Sequence, residues 1–297
     1  MRSGEGFKKL REERGISQRK LTEGICARST LSTFENEGSH LSVDLCSKLL
    51  DRLNIRIDTY FSTLSEDFDQ KRVEFSELKK SIVTEDTDSI EKHKQNYLAR
   101  YASTRDFYWF HLYFLSEEFL CQSETRFTYE RFKETHKKEI SLLKKYLNKI
   151  ENWSHFEFAV LGNSIWYFDL EFIQLVKERL GKNYMTSVKY KKELYGSFLL
   201  NMGFYCLEYG HFELIEQLKK ELFELSNYTN IHWKVSSSYQ LSLAEELSDP
   251  PSSSKAETLS HIKIYEQMGE EDHYQNMINY RQRLVEKHKK HYDCFTI

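Results

Sequence analysis

The sequence predicts an all-α fold in two parts, and three observations carry that reading. Only 11 Gly and 2 Pro occur in 297 residues, too few to punctuate many strands and tight turns. Apolar residues recur at helical spacing along most of the chain, interrupted by short polar breaks. The 20 Phe and 19 Tyr supply ample material for a buried core. Charge adds little, since a net charge of -3 marks neither a nucleic-acid nor a membrane partner. No apolar run approaches the ~18 residues that a bilayer span needs. Met1 to Gly15 is charged throughout and lacks the apolar centre of a signal peptide. The five cysteines are scattered and form no CxxC pair, which fits a reducing, cytoplasmic setting.

Taken in order, residues 4–13 read as a short amphipathic helix carrying Phe7 and Leu10, ended by Gly15. Ser17 is placed to cap a second helix with Leu21 and Ile25 on its apolar face. A turn at Cys26-Ala27 leads to a third helix, with Ser29 as its expected cap and Gly38 as its stop. This helix turns Leu31 and Phe34 inward and Arg28, Thr30, Ser32 and Thr33 outward. Ser42 caps a fourth helix with Leu45, Leu49, Leu50 and Leu53 as its stripe, and Ile55, Ile57, Tyr60 and Phe61 close the bundle.

Two short helices joined by a turn, the second polar on its outer face, are the parts of a helix-turn-helix. The second must be slim and polar to enter a major groove, and the first must hold it against the phosphates. Gln18 and Arg19 stand at the N-terminal end of the first, where backbone N–H groups favour a phosphate. Arg28 stands at the entry of the second, within reach of a phosphate or a guanine edge. The expected DNA-contacting set is therefore Gln18, Arg19, Arg28, Ser29, Thr30, Ser32 and Thr33. Residues 1–40 hold eight Lys and Arg against six Asp and Glu, a mild basic excess.

The stretch from Leu10 to Ile55, with "GISQ", "RSTLS" and "LLDRLNI", resembles the N-terminal domain of Rgg/MutR-type regulators, a branch of the Xre-like helix-turn-helix group. That resemblance covers about the first 65 residues. It implies a homodimeric transcription regulator that binds double-stranded promoter DNA and senses a short secreted peptide through a helical repeat domain. Where that family often carries Arg, this chain has Thr33 and Asn36, so base readout would rest on other residues.

The remainder divides into an expected linker helix at 66–83, with a sparse apolar stripe, and a repeat region at 84–297. Expected helices run over 88–102, 105–122, 127–148, 154–169, 171–180, 188–208, 211–226, 230–248, 254–268 and 272–290, with a clear break at Asp249-Pro250-Pro251-Ser252-Ser253-Ser254. Helix pairs at such a period mean an α-solenoid. The turn in "FYCLEYGHFELIEQL" is similar to that of tetratricopeptide repeats, with Gly210 supplying a positive φ. Asn163-Ser-Ile-Trp166-Tyr167 and Asn201-Met-Gly-Phe204-Tyr205 repeat one pattern 38 residues apart. The architecture expected is thus a helix-turn-helix bundle followed by a right-handed α-solenoid of tetratricopeptide-like helix pairs.

In such arrays the first helix of each pair lines a concave groove. An Asn amide there can pair with both the donor and the acceptor of an extended peptide backbone. Asn163, Tyr167, Asn201 and Tyr205 are therefore the candidate residues for a short apolar peptide, with the tyrosines as walls. No phosphate loop or nucleophile elbow occurs, so no catalytic residue and no cofactor are expected. At the tail, His288, His291, Asp293 and Cys294 share ligand chemistry, but Lys287, Lys289 and Lys290 would repel a cation, and no metal is expected. Cys46 lies on a helix surface that could meet a partner subunit. The competing use of the same parts is an adaptor whose repeats bind a protein.

Overall fold

The computed structural model describes residues 3–62, 64, 70–123, 127–184, 189–226, 231–248 and 254–293. It divides into two compact units, Met1–Ile90 and Glu91–Ile297. Among the described residues every regular element is helical.

The first unit contains α1 (Ser3–Glu13), α2 (Gln18–Thr22), α3 (Arg28–Glu37), α4 (Val43–Arg52), α5 (Ile57–Ser62) and α6 (Gln70–Val83). Two expected caps form: Ser17 accepts from the Lys20 N–H and Ser42 from the Leu45 N–H. Ser29 does not cap α3. The helix starts two residues earlier, Ala27 takes the extended cap position without a side-chain bond, and Ser29 falls inside the first turn. Gly38 closes α3 in the left-handed conformation. Phe7, Leu21, Leu31, Phe34, Leu49, Leu50, Leu53, Ile55, Tyr60 and Leu64 form the core. Ile57 and Phe61, expected inside, stay 39% and 51% exposed. The short α5 turns in Tyr60, whose hydroxyl donates to the Ser3 carbonyl at 2.8 Å. A β-carbon at Gly4 would stand 2.0 Å from the Phe34 carbonyl oxygen, so α1 reaches α3 this closely only with glycine there. Where a linker helix is expected at 66–83, α6 forms within the first unit, and residues 66–69 lie outside the described residues.

The chain continues through α7 (Thr87–Thr104), within which the division into units falls. The second unit then contains α8 (Phe107–Gln122), α9 (Tyr129–Thr135), α10 (Lys137–Lys149), α11 (His155–Ser164), α12 (Leu170–Tyr184), α13 (Lys189–Tyr209), α14 (Ile215–Leu225), α15 (Ile231–Ser248), α16 (Ser254–Gln267) and α17 (Glu271–Asp293). Two layers result. α8, α11, α13, α15 and α17 pack in succession, each against the next. On them lie α10 against α11, α12 against α13, α14 against α13 and α15, and α16 against α15 and α17. This is a solenoid of helix pairs, and one apolar core runs through it from Phe110 to Leu284.

Two expected helices are interrupted. The 127–148 helix breaks at His136, whose φ of -110° and ψ of 28° leave helical geometry. The 154–169 helix ends at Ser164 and continues as one tighter turn, Ile165–Tyr167. Gly210 takes the expected positive φ, 79°. The Asp249–Ser253 part of the proline break lies outside the described residues.

Candidate functional site

In the first unit the frame beneath α3 is ionic. Arg11 on α1 grips Glu35 on α3 with two parallel bonds, Nε to Oε1 and Nη2 to Oε2, both 2.7 Å. Its Nη1 also donates to the Ile16 carbonyl at 2.9 Å. Arg11 is 7% exposed and Glu35 3%. The hydrogen bonds that Arg11 donates to Glu35 raise its pKa against the opposing effect of burial. A bidentate pair of this kind fixes orientation as well as energy. From α4, Arg52 donates to the Leu21 and Glu23 carbonyls and so holds the end of α2.

Gln18 joins this frame. Its Nε2 donates to Glu35 Oε2 at 2.7 Å, so the expected phosphate contact has one of its two donors committed inside the unit. Arg19 stays exposed beside it. On α3, Arg28, Ser29 and Thr30 are exposed, and Ser32 and Thr33 are half-buried. Asn36 donates to the Ser32 carbonyl at 2.9 Å, and its oxygen accepts from Lys8 at 3.0 Å. The frame fixes α3 from behind and leaves a short polar face, led by Arg28, turned to solvent. Cys46 is half-buried against the bundle core, and burial raises its pKa.

In the second unit, α11 exposes His155, Ala159 and Asn163 at four-residue intervals. α13 continues the surface with Glu193, Ser197 and the half-buried Asn201 at the same interval. Such spacing puts each set on one helix face. A β-carbon at Gly162 would lie 3.2 Å from Asn201 Nδ2, so Asn201 leans across α11 beside Asn163. One layer on, Gln240 of α15 repeats the device: it lies over Gly203 and donates to the Leu200 carbonyl at 2.9 Å. Asn163 Nδ2 stands 3.3 Å from His111 Nε2. Burial lowers the His111 pKa to about 4, so a neutral ring accepts from the Asn163 amide.

The tyrosine walls are a correction. Tyr167 is 1% exposed and donates to Glu118 Oε1 at 2.7 Å; Tyr205 is 3% exposed and donates to the Phe168 carbonyl at 3.0 Å. Each ring faces the core because its hydroxyl finds an acceptor there. Burial pushes the Glu118 carboxyl up to about 7, against the bond from Tyr167. Beyond Asn201 the surface of α13 is covered by α17. Tyr280 donates to the Phe204 carbonyl at 3.3 Å, and Arg283 and Lys287 both bind the buried Glu208 carboxylate. Burial opposes ionisation of Glu208, yet those bonds hold its pKa below the usual value. At the tail, His288 Nε2 lies 3.2 Å from the Leu207 carbonyl oxygen; the side chains of His291 and Asp293, and Cys294, lie outside the described residues. Composition gave no signal for Arg11, Glu35 or Gln240, because their partners stand 24 and 40 residues away.

The profile of the C-terminal domain of the HTH-type transcriptional regulator Rgg matches residues 62–280, and a helix-turn-helix profile matches residues 7–60. The chain belongs to the Rgg family of transcriptional regulators. No curated relative matches at the sequence level. Solved structures do. The Streptococcus dysgalactiae SHP pheromone receptor Rgg2, in a cysteine-to-serine form, has a TM-score of 0.77 at 21% identity, with 95% of this chain and 99% of that one covered. A PrgX/iCF10 complex has a TM-score of 0.76 at 16% identity, covering 97% of each chain. A putative transcriptional regulator from Listeria monocytogenes has a TM-score of 0.75 at 14% identity, covering 97% and 98%. At such identities the likeness is one of fold, and the fold of this Rgg-family chain is shared along its length. No helix among its described residues is long and apolar enough to cross a membrane.

Proposed function

We propose that this Rgg-family chain is a cytoplasmic, homodimeric regulator that reads promoter DNA with α3 and is controlled by a short apolar peptide held on its repeat unit. The observation that carries the reading is the pair Asn163 and Asn201, brought side by side on neighbouring first-layer helices with their surface open. Their amides suit an extended peptide backbone, whose groups would cost about 1–3 kcal/mol each if buried unpaired. The similar structures support the ligand class: one is the receptor of the SHP pheromone, and the other holds iCF10. Arg28, Ser29, Thr30, Ser32 and Thr33 make the DNA-facing set, with Arg19 and the remaining Gln18 donor toward the phosphates. A two-fold dimer places two α3 helices on successive turns of a duplex and selects an inverted repeat. No catalytic role is assigned.

The test has two arms. The full chain, purified from its native cells, is extracted and searched by mass spectrometry for a bound peptide, which is then synthesised and titrated. In parallel, a pool of random duplexes is selected on the protein and rebound at rising salt. An enriched inverted repeat that keeps its advantage over random duplex as salt rises supports the reading. Binding that decays equally for all sequences, with a protein recovered in place of a peptide, overturns it in favour of an adaptor.

A further inference from the structure

Outside the surfaces described so far, the fold brings three unlike metal-binding side chains together. Glu117 and Cys121 lie one helical turn apart on α8, and His136 sits at the break between α9 and α10. One ligand atom from each lies within 4.8 Å of the other two. His136 Nε2 is 3.3 Å from Glu117 Oε1.

The orientation of the ring decides how to read this contact. His136 Nδ1 lies 3.1 Å from the Phe132 carbonyl oxygen, and the ring stacks on Phe132 at 3.9 Å. The Thr135 hydroxyl stands 2.8 Å from the same nitrogen, and the tautomer with the hydrogen on Nδ1 serves both oxygens. In that tautomer the Nε2 lone pair faces a carboxylate oxygen. Two acceptors do not rest at such a distance without something positive between them. A carbonyl-held Nδ1–H is also the usual outer-shell device that aims a histidine at a metal. The second oxygen of Glu117 accepts from Lys94 at 2.8 Å, and Lys94 also pairs with Glu91. Lys94 thus orients the carboxylate from behind, and its charge is answered by Glu91.

We propose that Glu117, Cys121 and His136 form a zinc site that ties α8 to the α9–α10 break. A proton would satisfy the nitrogen and the oxygen alone; the third donor, a sulfur, favours a borderline-soft cation with mixed ligands. In tetrahedral zinc with bonds near 2.0 Å, ligand nitrogen and oxygen stand about 3.3 Å apart, as His136 and Glu117 do. The sulfur, within 4.8 Å of the other two ligand atoms, would have to turn closer about its Cα–Cβ bond. On binding, the Cys121 thiol gives its proton to solvent and bonds as thiolate, and neutral His136 and the Glu117 carboxylate give lone pairs. The cation's two charges are then met by one thiolate and one carboxylate, and water completes the fourth position.

The full-length chain, reduced and stripped with chelator, is titrated with cobalt(II) and then with zinc. The expected result is one equivalent of tetrahedral cobalt with a thiolate charge-transfer band, displaced by zinc. Cys121→Ser should abolish that band, and Cys206→Ser should keep it. His136→Ala should weaken cobalt at least ~100-fold, at or beyond the upper end of an outer-shell loss. Circular dichroism of each variant separates lost binding from lost folding, and His136→Ala gives a reading even where Cys121→Ser unfolds. No cobalt bound by the wild-type chain, with a His136 imidazolium observed by nuclear magnetic resonance, makes a proton the occupant and overturns the proposal. A thiolate band that survives in folded Cys121→Ser overturns it equally.

Discussion

The two units treat buried polar groups in opposite ways. In the N-terminal bundle the ionic frame of Arg11, Glu35 and Gln18 is closed on itself, and the face of α3 that it supports carries its polar side chains outward. In the repeat unit, Asn163 and Asn201 sit on the helix surfaces themselves, half committed to neighbours and half available. On the proposed function, the bundle separates the groups that position from the groups that meet DNA, and the repeat unit asks the same amides to do both. On α3, affinity and stability should therefore separate under mutation, and along α11 and α13 they should be coupled to a degree set by burial.

The largest expected effect breaks the bundle's side of this contrast. Glu35→Ala leaves the Arg11 guanidinium buried without its partner, which costs about 3–5 kcal/mol. A thermal scan of the full chain should show the N-terminal unit melting early, and the pair Arg11→Met with Glu35→Leu should recover most of the loss. A single-variant cost below about 1 kcal/mol would mean that the frame supports nothing.

Next comes a pH dependence in the repeat unit. Glu118 has a folded pKa of about 7 against an ordinary 4.5, so its neutral form is the stabilised one. Its contribution is complete below pH 4.5 and is lost as pH rises through 7, on the order of 3 kcal/mol across that window. His111 runs the other way: with a folded value of about 4 against 6.5, its contribution is present above pH 6.5 and lost as pH falls through 4. Glu118→Gln should flatten the loss of melting temperature on the alkaline side and leave the acid side as it was. Melts from pH 4 to 8 check this, and an unchanged alkaline slope would refute the assignment to Glu118.

Two smaller effects sharpen the contrast. Arg28→Ala should weaken operator binding by about 1–3 kcal/mol if it makes a bidentate base contact, without moving the melt. Asn201→Ala should lower peptide affinity by about 1–3 kcal/mol with a small shift in melting, since its amide is half-buried. Fluorescence polarisation and circular dichroism on the same samples decide each case. For Asn201, a falling melt with unchanged peptide affinity would make it a structural amide only.

The smallest is Gln18→Ala. Loss of its bond to Glu35 should cost about 1 kcal/mol of bundle stability, with DNA affinity falling evenly over all sequences. A sequence-dependent loss would place Gln18 at a base edge.

Much of this arrangement was legible from local pattern. The caps Ser17 and Ser42, the stop at Gly38 and the turn at Gly210 each depend on residues within one turn of themselves. The cap at Ser29 failed on the same scale, since a start displaced by two residues makes Ala27 the cap. The pairing of helices also followed from period alone. The direction of Tyr167 and Tyr205 did not. The repeated Asn-x-x-aromatic-Tyr pattern fixes spacing, but which way a tyrosine turns depends on acceptors 49 and 37 residues distant, Glu118 and the Phe168 carbonyl. The repeat is thus partly a core device. The break at His136 was hidden for a similar reason, as nothing between Tyr129 and Lys149 interrupts helical periodicity.

The clamp on Glu208 has a consequence for how the repeat unit assembles. Its two cations, on Arg283 and Lys287, come from 75 and 79 residues further along the chain. Until α17 docks, the Glu208 carboxylate faces an apolar core with no counter-charge, which is costly to bury. The array therefore cannot dehydrate around the end of α13 before its last helix arrives. Contacts of such sequence separation form slowly. Docking of α17 supplies both cations, and salt in the refolding buffer should slow that step by screening the attraction that draws the helix home.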